Sequence, residues 1–448
     1  MTYYFFNAII ALYEGICCRD ILKGGFFVEE RYTTANGVDI YSYKNPSSHG
    51  FFISLFLRAG SMYEDEKNNG ITHFLEHISI RNINKEMGGA LYSELDRRAI
   101  EFNASTFSEM VQFYICGAKK NFAFSADVLC RLFSKITLDK SEIESERKRI
   151  KAEIRESDDK SSLLSFTNSV VHRGTSLSRS IAGTLGSVDK ITAKRLEEYR
   201  KSAFSRGNFF FYVTGNFDAS DILYLAQCVE KYSFSSGEVR ENFAPVAEDF
   251  AARYGKVEIK NSDFCAVRFT FDLDMKALSV PETDLVYDIL LSGYNSRFFI
   301  EMSEKRGLFY DISGAVERYR NVGELYFTYE IRERDIEDAL AITVDILRSL
   351  KDAELSAEDC MKTSYTDNAY MLLDDARELN FTMAYDNHIM HLGYPNIEER
   401  IAAYKNVSPE RIRAVACEIF RPKNLTLTVK GDKKRINKSA IERIISSL

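Results

Sequence analysis

Residues 69–80 of this 448-residue chain read NGITHFLEHISI, and two of the chain's six histidines, His73 and His77, fall within them. On a helix, residues four apart project from one face, so the two imidazoles are close enough to share one cation. Glu76, three positions after His73, lies beside that face. Two imidazoles suit Zn²⁺, and a carboxylate next to an open coordination position is placed to take a proton from water there. The plainer alternative is a pair of surface histidines on an amphipathic helix. Phe74 and Leu75 argue against it, because they mark a packed helix in which two unpaired imidazoles would be hard to satisfy.

A catalytic zinc wants a third protein ligand and a vacant position. The candidate segment is KSEIESERKRIKAEIRESDDK, an intensely charged stretch from Lys140 whose spacing predicts a helix over Lys140–Ser157. Its sparse apolar residues, Ile143, Ile150 and Ile154, mark a buried stripe. Glu146 and Glu153 fall on that stripe at three- and four-residue steps, while the other charges are expected to face water. An inward carboxylate is unfavourable unless it is paired or bound to metal. A charge run by itself is ordinarily a solvated helix face, yet two inward glutamates downstream of the histidine pair favour ligation. The order His-x-x-Glu-His inverts the HExxH arrangement of zinc proteases.

The elements that must hold these side chains follow from pattern. Gly50–Ala59, Ser108–Gly117, Ala266–Asp272 and Gly323–Ile331 read as strands. Asp335–Leu350 and Asp367–Phe381 read as helices. Residues 188–215 align without gaps on residues 404–431, with identities at Arg195/Arg411, Phe204/Phe420, Asn208/Asn424, Val213/Val429 and Gly215/Gly431. Each copy reads as a helix capped by Thr192 or Ser408, with Pro409 suited to a first helical position, then a short turn and a strand ending at glycine. The copies close two near-equal halves. The expected organisation is α+β, each half a mostly antiparallel sheet packed with helices. Residues 1–235 form a metal-bearing domain, 236–250 a linker and 251–448 a related domain without the metal motif. The linker shows in Ser233–Pro245, rich in Ser, Gly, Asn and Pro.

Composition sets the outer bounds. With 45% hydrophobic and 28% charged residues, 23 Gly and 6 Pro, the chain has the profile of a folded globular protein. A net charge of −7 argues against nucleic acid as the main partner. The eight cysteines form no CxxC pair, so a reducing, cytoplasmic setting without a disulfide framework is expected. Met1–Leu12 is apolar but lacks the basic start of a secretory signal, and Asn7 and Glu14 interrupt it too early for a membrane span. It is expected to pack as an extra segment.

The sequence resembles the pitrilysin, or inverzincin, family of zinc metallopeptidases, in the short branch related to mitochondrial processing peptidase. The resemblance rests on HFLEH with Glu153 76 positions beyond His77, on AGSMYED, FNAST and the ERKRIKAE helix, and on SRFFIEMSEKRGLFYDIS in the second half. It implies that His73, His77 and Glu153 ligate one zinc per chain, that Glu76 is the general base and that Glu146 supports the site. It further implies that Asn103 and Ala104 lie on an edge strand pairing with an extended substrate, and that Tyr310 reaches toward the scissile carbonyl. An arginine usual in the family seven residues before that tyrosine is replaced here by Ser303, while Arg306 occupies an ordinary basic turn. The implied activity is endopeptidase cleavage of extended peptides or unfolded segments inside a dimeric chamber. The dimer is either a homodimer or a heterodimer with a related zinc-free subunit that supplies the arginine. Two other readings compete: a non-catalytic structural subunit of such a complex, and a zinc hydrolase acting on non-peptide bonds.

Overall fold

The computed structural model describes residues 28–157, 162–245, 253–258, 263–308, 312–352, 354–356, 362–432 and 436–448. Met1–Leu12, Cys17, Cys18, Tyr310 and Cys360 lie outside the described residues, so the expectations placed on them are not addressed by the structure. The fold is α+β, built on two sheets. The first has strands β1 (Glu30–Thr33), β2 (Asp39–Lys44), β3 (Gly50–Leu57), β4 (Glu101–Thr106), β5 (Val111–Ala118) and β6 (Phe209–Gly215) in the order β1-β2-β6-β3-β5-β4. The second has β7 (Arg253–Glu258), β8 (Phe264–Asp274), β9 (Ile312–Arg318), β10 (Val322–Arg332) and β11 (Leu425–Gly431) in the order β7-β11-β8-β10-β9. Each sheet contains one parallel pair, β2–β6 or β7–β11, and is otherwise antiparallel.

The internal repeat corresponds to one structural unit used twice. Helix α1 spans Ile71–Glu86, α2 Lys140–Ser157, α3 Leu163–Val171 and α4 Ala193–Ala203; later in the chain come α5 (Ala376–Ala384), α6 (Ile397–Lys405) and α7 (Pro409–Ile419). The Thr192 hydroxyl accepts from Arg195 N at the start of α4, and Ser408 accepts from Arg411 N at the start of α7, where Pro409 takes the first helical position. The two asparagines also do one job. Asn208 Nδ2 donates to Ala203 O at 2.7 Å and Arg58 O at 3.0 Å, and Asn424 Nδ2 donates to Ile419 O at 2.9 Å and Asp272 O at 2.8 Å. Each amide therefore ties the last carbonyls of its helix to the end of the neighbouring strand, filling acceptors a helix end leaves open. The strands that follow, β6 and β11, each sit between a parallel and an antiparallel partner.

Strands β3 and β6 are apolar almost throughout and buried on both faces, as strands covered on both sides must be. One face packs Ile53, Leu55, Phe113, Ile115, Phe211 and Val213 against α1, α2 and α4. The opposite face presents Tyr43, Phe56, Phe210 and Tyr212 to Leu379, Met383 and Ala384 of α5 and Ile397 and Ile401 of α6. Helices from late in the chain thus roof the early sheet, each fully buried Leu or Met adding about 1.5–3 kcal/mol. The exchange runs both ways: Thr167 of α3 meets Thr428 of β11 at 2.6 Å, both buried. Because the Thr167 hydroxyl donates to Leu163 O at 2.8 Å, Thr428 supplies the proton between the two.

Three local expectations change. The helix expected over Asp367–Phe381 is broken: one helix ends at Met371, a 3₁₀ turn covers Leu372–Asp374, and α5 restarts behind Asp375, whose carboxylate accepts from Arg377 N and Glu378 N. The strand expected from Ser108 begins at Val111, because Phe107 N bonds Met110 O at 2.8 Å and closes a turn. Ser233–Pro245, expected as a linker, is irregular but fastened. Arg240 N donates to Asn208 Oδ1 at 3.0 Å, and Ala244 exchanges two hydrogen bonds with Asn321, at 2.9 and 2.8 Å. Among the described residues, Cys116, Cys130, Cys228, Cys265 and Cys417 are free thiols, and no helix is long and apolar enough to cross a membrane.

Candidate metal centre

Helix α1 carries the histidines, and its start is built by backbone. Gly70 precedes it at φ 91, and a Cβ there would lie 2.6 Å from Ala182 O, so glycine is required on both counts. Its first amides are bound by Glu64, a buried carboxylate six residues upstream: Oε2 accepts from Gly70 N at 2.7 Å and Asn69 Nδ2 at 3.0 Å, and Oε1 from Thr72 N at 2.9 Å. A carboxylate at a helix N-terminus satisfies orphan amides and opposes the positive end of the dipole. Phe74, Leu75 and Ile78 anchor the inner face of α1, leaving His73, Glu76 and His77 half-buried beside it.

Helix α2 packs alongside, with Ile143, Ile150 and Ile154 buried as the spacing predicted. Glu146 points inward, its side chain only 8% exposed, while Glu153 sits at the edge of the stripe with 39% exposure. The expectation that the remaining charges face water fails at Arg147. Its guanidinium is buried, lies 5.1 Å over the Phe74 ring, and donates to Val188 O and, at 2.7 Å, to Ile191 O. That contact fixes α2 against the residue next to His73.

His73, His77 and Glu153 offer ligand atoms that all lie within 4.8 Å of one another. His77 Nε2 is 3.4 Å and His73 Nε2 is 3.9 Å from Glu153 Oε2. Two ligands on a tetrahedral zinc with bonds of about 2.0–2.1 Å stand about 3.4 Å apart, so the first pair already has that spacing and the second is slightly open. Burial and the adjacent His77 ring lower His73 to about 4, keeping that imidazole neutral, the form that binds metal. His73 Nδ1 is buried with no hydrogen-bond partner among the described residues. For His77 the far nitrogen is served: Nδ1 lies 3.4 Å from Glu146 Oε2. With Glu146 ionised, Nδ1–H donates and the Nε2 lone pair is left facing Glu153. The hydrogen bond from His77 holds the Glu146 carboxyl below its usual range against the opposing effect of burial, and Arg81 Nη1, 2.5 Å from Oε1, lowers it further. Two imidazoles and one carboxylate are a donor set that fits zinc, with fewer protein ligands than a closed structural site has.

Glu76 stands beside this cluster. Burial pushes its carboxyl up, a hydrogen bond from the Thr106 hydroxyl and the nearby His77 pull it down, and Glu153 pushes it up again. Thr106 ends β4, so the same strand that carries Asn103 and Ala104 grips the candidate base. β4 is the sheet edge; Asn103 is opposite Tyr114 and Ala104 opposite Phe113 on β5, and the other side of β4 has no partner strand among the described residues. Asn103 is exposed, and its Oδ1 accepts from Ala104 N at 2.9 Å. Ser303 lies on the π-helical turn Phe299–Glu304, and Arg306 pairs with Glu301 of that turn at 2.7 Å. Sequence reasoning missed Glu64, Thr106, Arg81 and Arg147. The AGSMYED and FNAST stretches held two of them in view, without showing which atoms they reach.

Residues 40–185 match the family described as insulinase (peptidase family M16), and residues 190–363 match the peptidase M16 inactive domain. The chain is 23% identical over 404 residues to an uncharacterized zinc protease, YmxG, of Bacillus subtilis, covering 87% of this chain and 95% of that one. It is 28% identical over 191 residues to the bovine mitochondrial-processing peptidase subunit beta, covering 42% of this chain and 39% of that protein. The matches span about two fifths of such mitochondrial relatives. In fold it is similar to a Helicobacter pylori protease, with a TM-score of 0.79 at 16% identity over 90% of this chain and 100% of that one.

Proposed function

The chain belongs to peptidase family M16, the insulinase family, and from that premise we propose that it is a zinc-dependent endopeptidase with one active centre per chain. The observation that carries the proposal is the convergence of His73, His77 and Glu153 beside a half-buried, hydroxyl-held Glu76. His73, His77 and Glu153 would hold the ion, which when bound supplies Lewis-acid chemistry, acidifying water and polarising a carbonyl. Glu76 takes the proton of the attacking water and returns it to the leaving amine. Glu146 fixes the tautomer of His77, and Thr106 fixes the rotamer of Glu76. An extended peptide adds to the free edge of β4 at Asn103 and Ala104, so that main-chain hydrogen bonds align the target bond with the cluster.

The proposal extends to a dimer enclosing the site in a cytoplasmic setting, with unfolded segments or peptides as substrates. Because Ser303 stands where the family usually has arginine, and Arg306 is paired with Glu301, the dimer is proposed as a heterodimer whose partner subunit supplies a cationic contact. The deciding experiment is mass spectrometry of the products from a peptide library, run on wild type and Glu76→Gln with metal content measured on both. Cleavage lost by at least about 100-fold in E76Q with zinc retained supports the reading. A zinc-free chain without hydrolysis would instead make it a structural subunit. Full activity of the purified chain alone would remove the need for a partner.

A further inference from the structure

Three residues beyond Thr106, Glu109 sits in the turn that joins β4 to β5 and faces the second half of the chain. The turn is closed by Phe107 N on Met110 O at 2.8 Å, and Ser108 O accepts from Met62 N at 2.8 Å. Gly60 lies so close behind it that a Cβ there would fall 2.2 Å from Ser108 O. On the other side, Glu109 Oε1 is 3.0 Å from the Tyr385 hydroxyl, and that hydroxyl is 3.0 Å from the backbone oxygen of Arg318.

Proton counting decides how these three oxygens bond. A phenol has one hydrogen, and a backbone carbonyl has none to give. When Tyr385 donates to Arg318 O, the hydrogen between Tyr385 and Glu109 comes from the carboxyl. We infer that Glu109 is held as a neutral acid and acts as a positioning residue, clamping the β4–β5 turn to the second half and, through Thr106, aiming Glu76. The link to Glu76 rests on the function proposed above; the clamp itself does not.

The surroundings agree with a neutral carboxyl. Glu317 on β9 faces it, as do Tyr319, Tyr385 and Tyr63. Arg58 and Arg240 lie toward Tyr63, and the Arg318 guanidinium is engaged by Asp284 and, at 3.0 Å, by Thr283 Oγ1. Burial raises the Glu109 carboxyl to about 7, with Glu317 pushing the same way and the polar contacts at the Tyr385 hydroxyl and at its own backbone opposing. Once ionised, the carboxylate takes the Tyr385 hydrogen and Arg318 O loses its donor, and the buried charge favours a turn opened to water. The clamp therefore loosens as pH rises from the ordinary carboxyl range toward about 7.

The test is hydrogen exchange on the full chain, followed by mass spectrometry of peptides covering residues 106–110 at pH values from about 4.5 to about 8 and corrected for the chemical exchange rate. Wild-type protection should fall by up to about tenfold per pH unit as pH rises from about 4.5 toward about 7, and level off above it. E109Q keeps an N–H donor for Tyr385 that does not titrate, so its protection should stay level, while E109A should be poorly protected throughout. In peptidase assays, the wild-type/E109Q ratio of kcat should fall about tenfold over the same range with KM little changed. Level wild-type protection, or the same pH dependence in wild type and E109Q, overturns the clamp. The exchange pattern without any change in the kcat ratio overturns the link to Glu76 and leaves the peptidase reading to be judged by product analysis.

Discussion

Replacing Glu146 by alanine should weaken zinc binding without unfolding the chain. The carboxylate serves two donors, His77 Nδ1 at 3.4 Å and Arg81 Nη1 at 2.5 Å. A hydrogen bond to a charged group contributes about 1.5–3 kcal/mol, and the long separation from His77 places this one at the lower end. Losing a partner behind a metal-bound histidine typically lowers metal affinity about 10–100-fold, or about 1.4–2.7 kcal/mol. The two routes meet at about 10–30-fold for Glu146→Ala. Glu146→Gln has one acceptor oxygen for two donors and should fall between alanine and wild type. The assay is competition for zinc against a chelator near neutral pH, followed by kcat at saturating zinc. Wild-type zinc affinity in E146A would refute the argument that this carboxylate sets the His77 tautomer. A kcat that stays low at saturating zinc would move Glu146 from supporting the ligand to the chemistry itself.

Two further outcomes follow from buried carboxylates elsewhere. Glu64→Ala strips three hydrogen bonds from the start of α1 and should destabilise the chain by about 2–4 kcal/mol in urea unfolding, with Glu64→Gln milder; an unchanged midpoint would sink the capping argument. Glu324 on β10 is raised to about 8 by burial, with Glu317 and Asp272 adding to the shift and Arg268 opposing it. Its folded-state value lies above the ordinary 4.5, so its stabilising contribution is full below that value and is lost as pH rises to about 8. The slope is at most about 1.4 kcal/mol per pH unit. Urea midpoints measured across that window should fall less steeply for Glu324→Gln than for wild type, and equal slopes would contradict it.

The centre was legible because its geometry is local. His73 and His77 are four apart on one helix, and the stripe of Ile143, Ile150 and Ile154 reveals which glutamates of α2 can turn inward. The repeat was legible for the same reason, since its caps and asparagines act within a few residues of themselves. Contacts between remote segments left no such trace. Nothing in Thr106 announces that its hydroxyl meets Glu76, and Arg147 looks like any other charge on a charged helix until its carbonyl partners appear. The break at Asp375 was hidden because the apolar spacing continues across it while a capping carboxylate interrupts the backbone ladder. The apolar runs of β3 and β6 did carry a usable signal, as strands this greasy need cover on both faces, but they could not say which helices provide it.

That cover has a consequence for dissecting the protein. A cut after Pro245 would leave the early fragment with Tyr43, Phe56, Phe210 and Tyr212 stripped of α5 and α6, an oily plane prone to self-association. The late fragment would lose α3 from over Thr428. The two pieces should therefore be recovered as a native pair only when produced together.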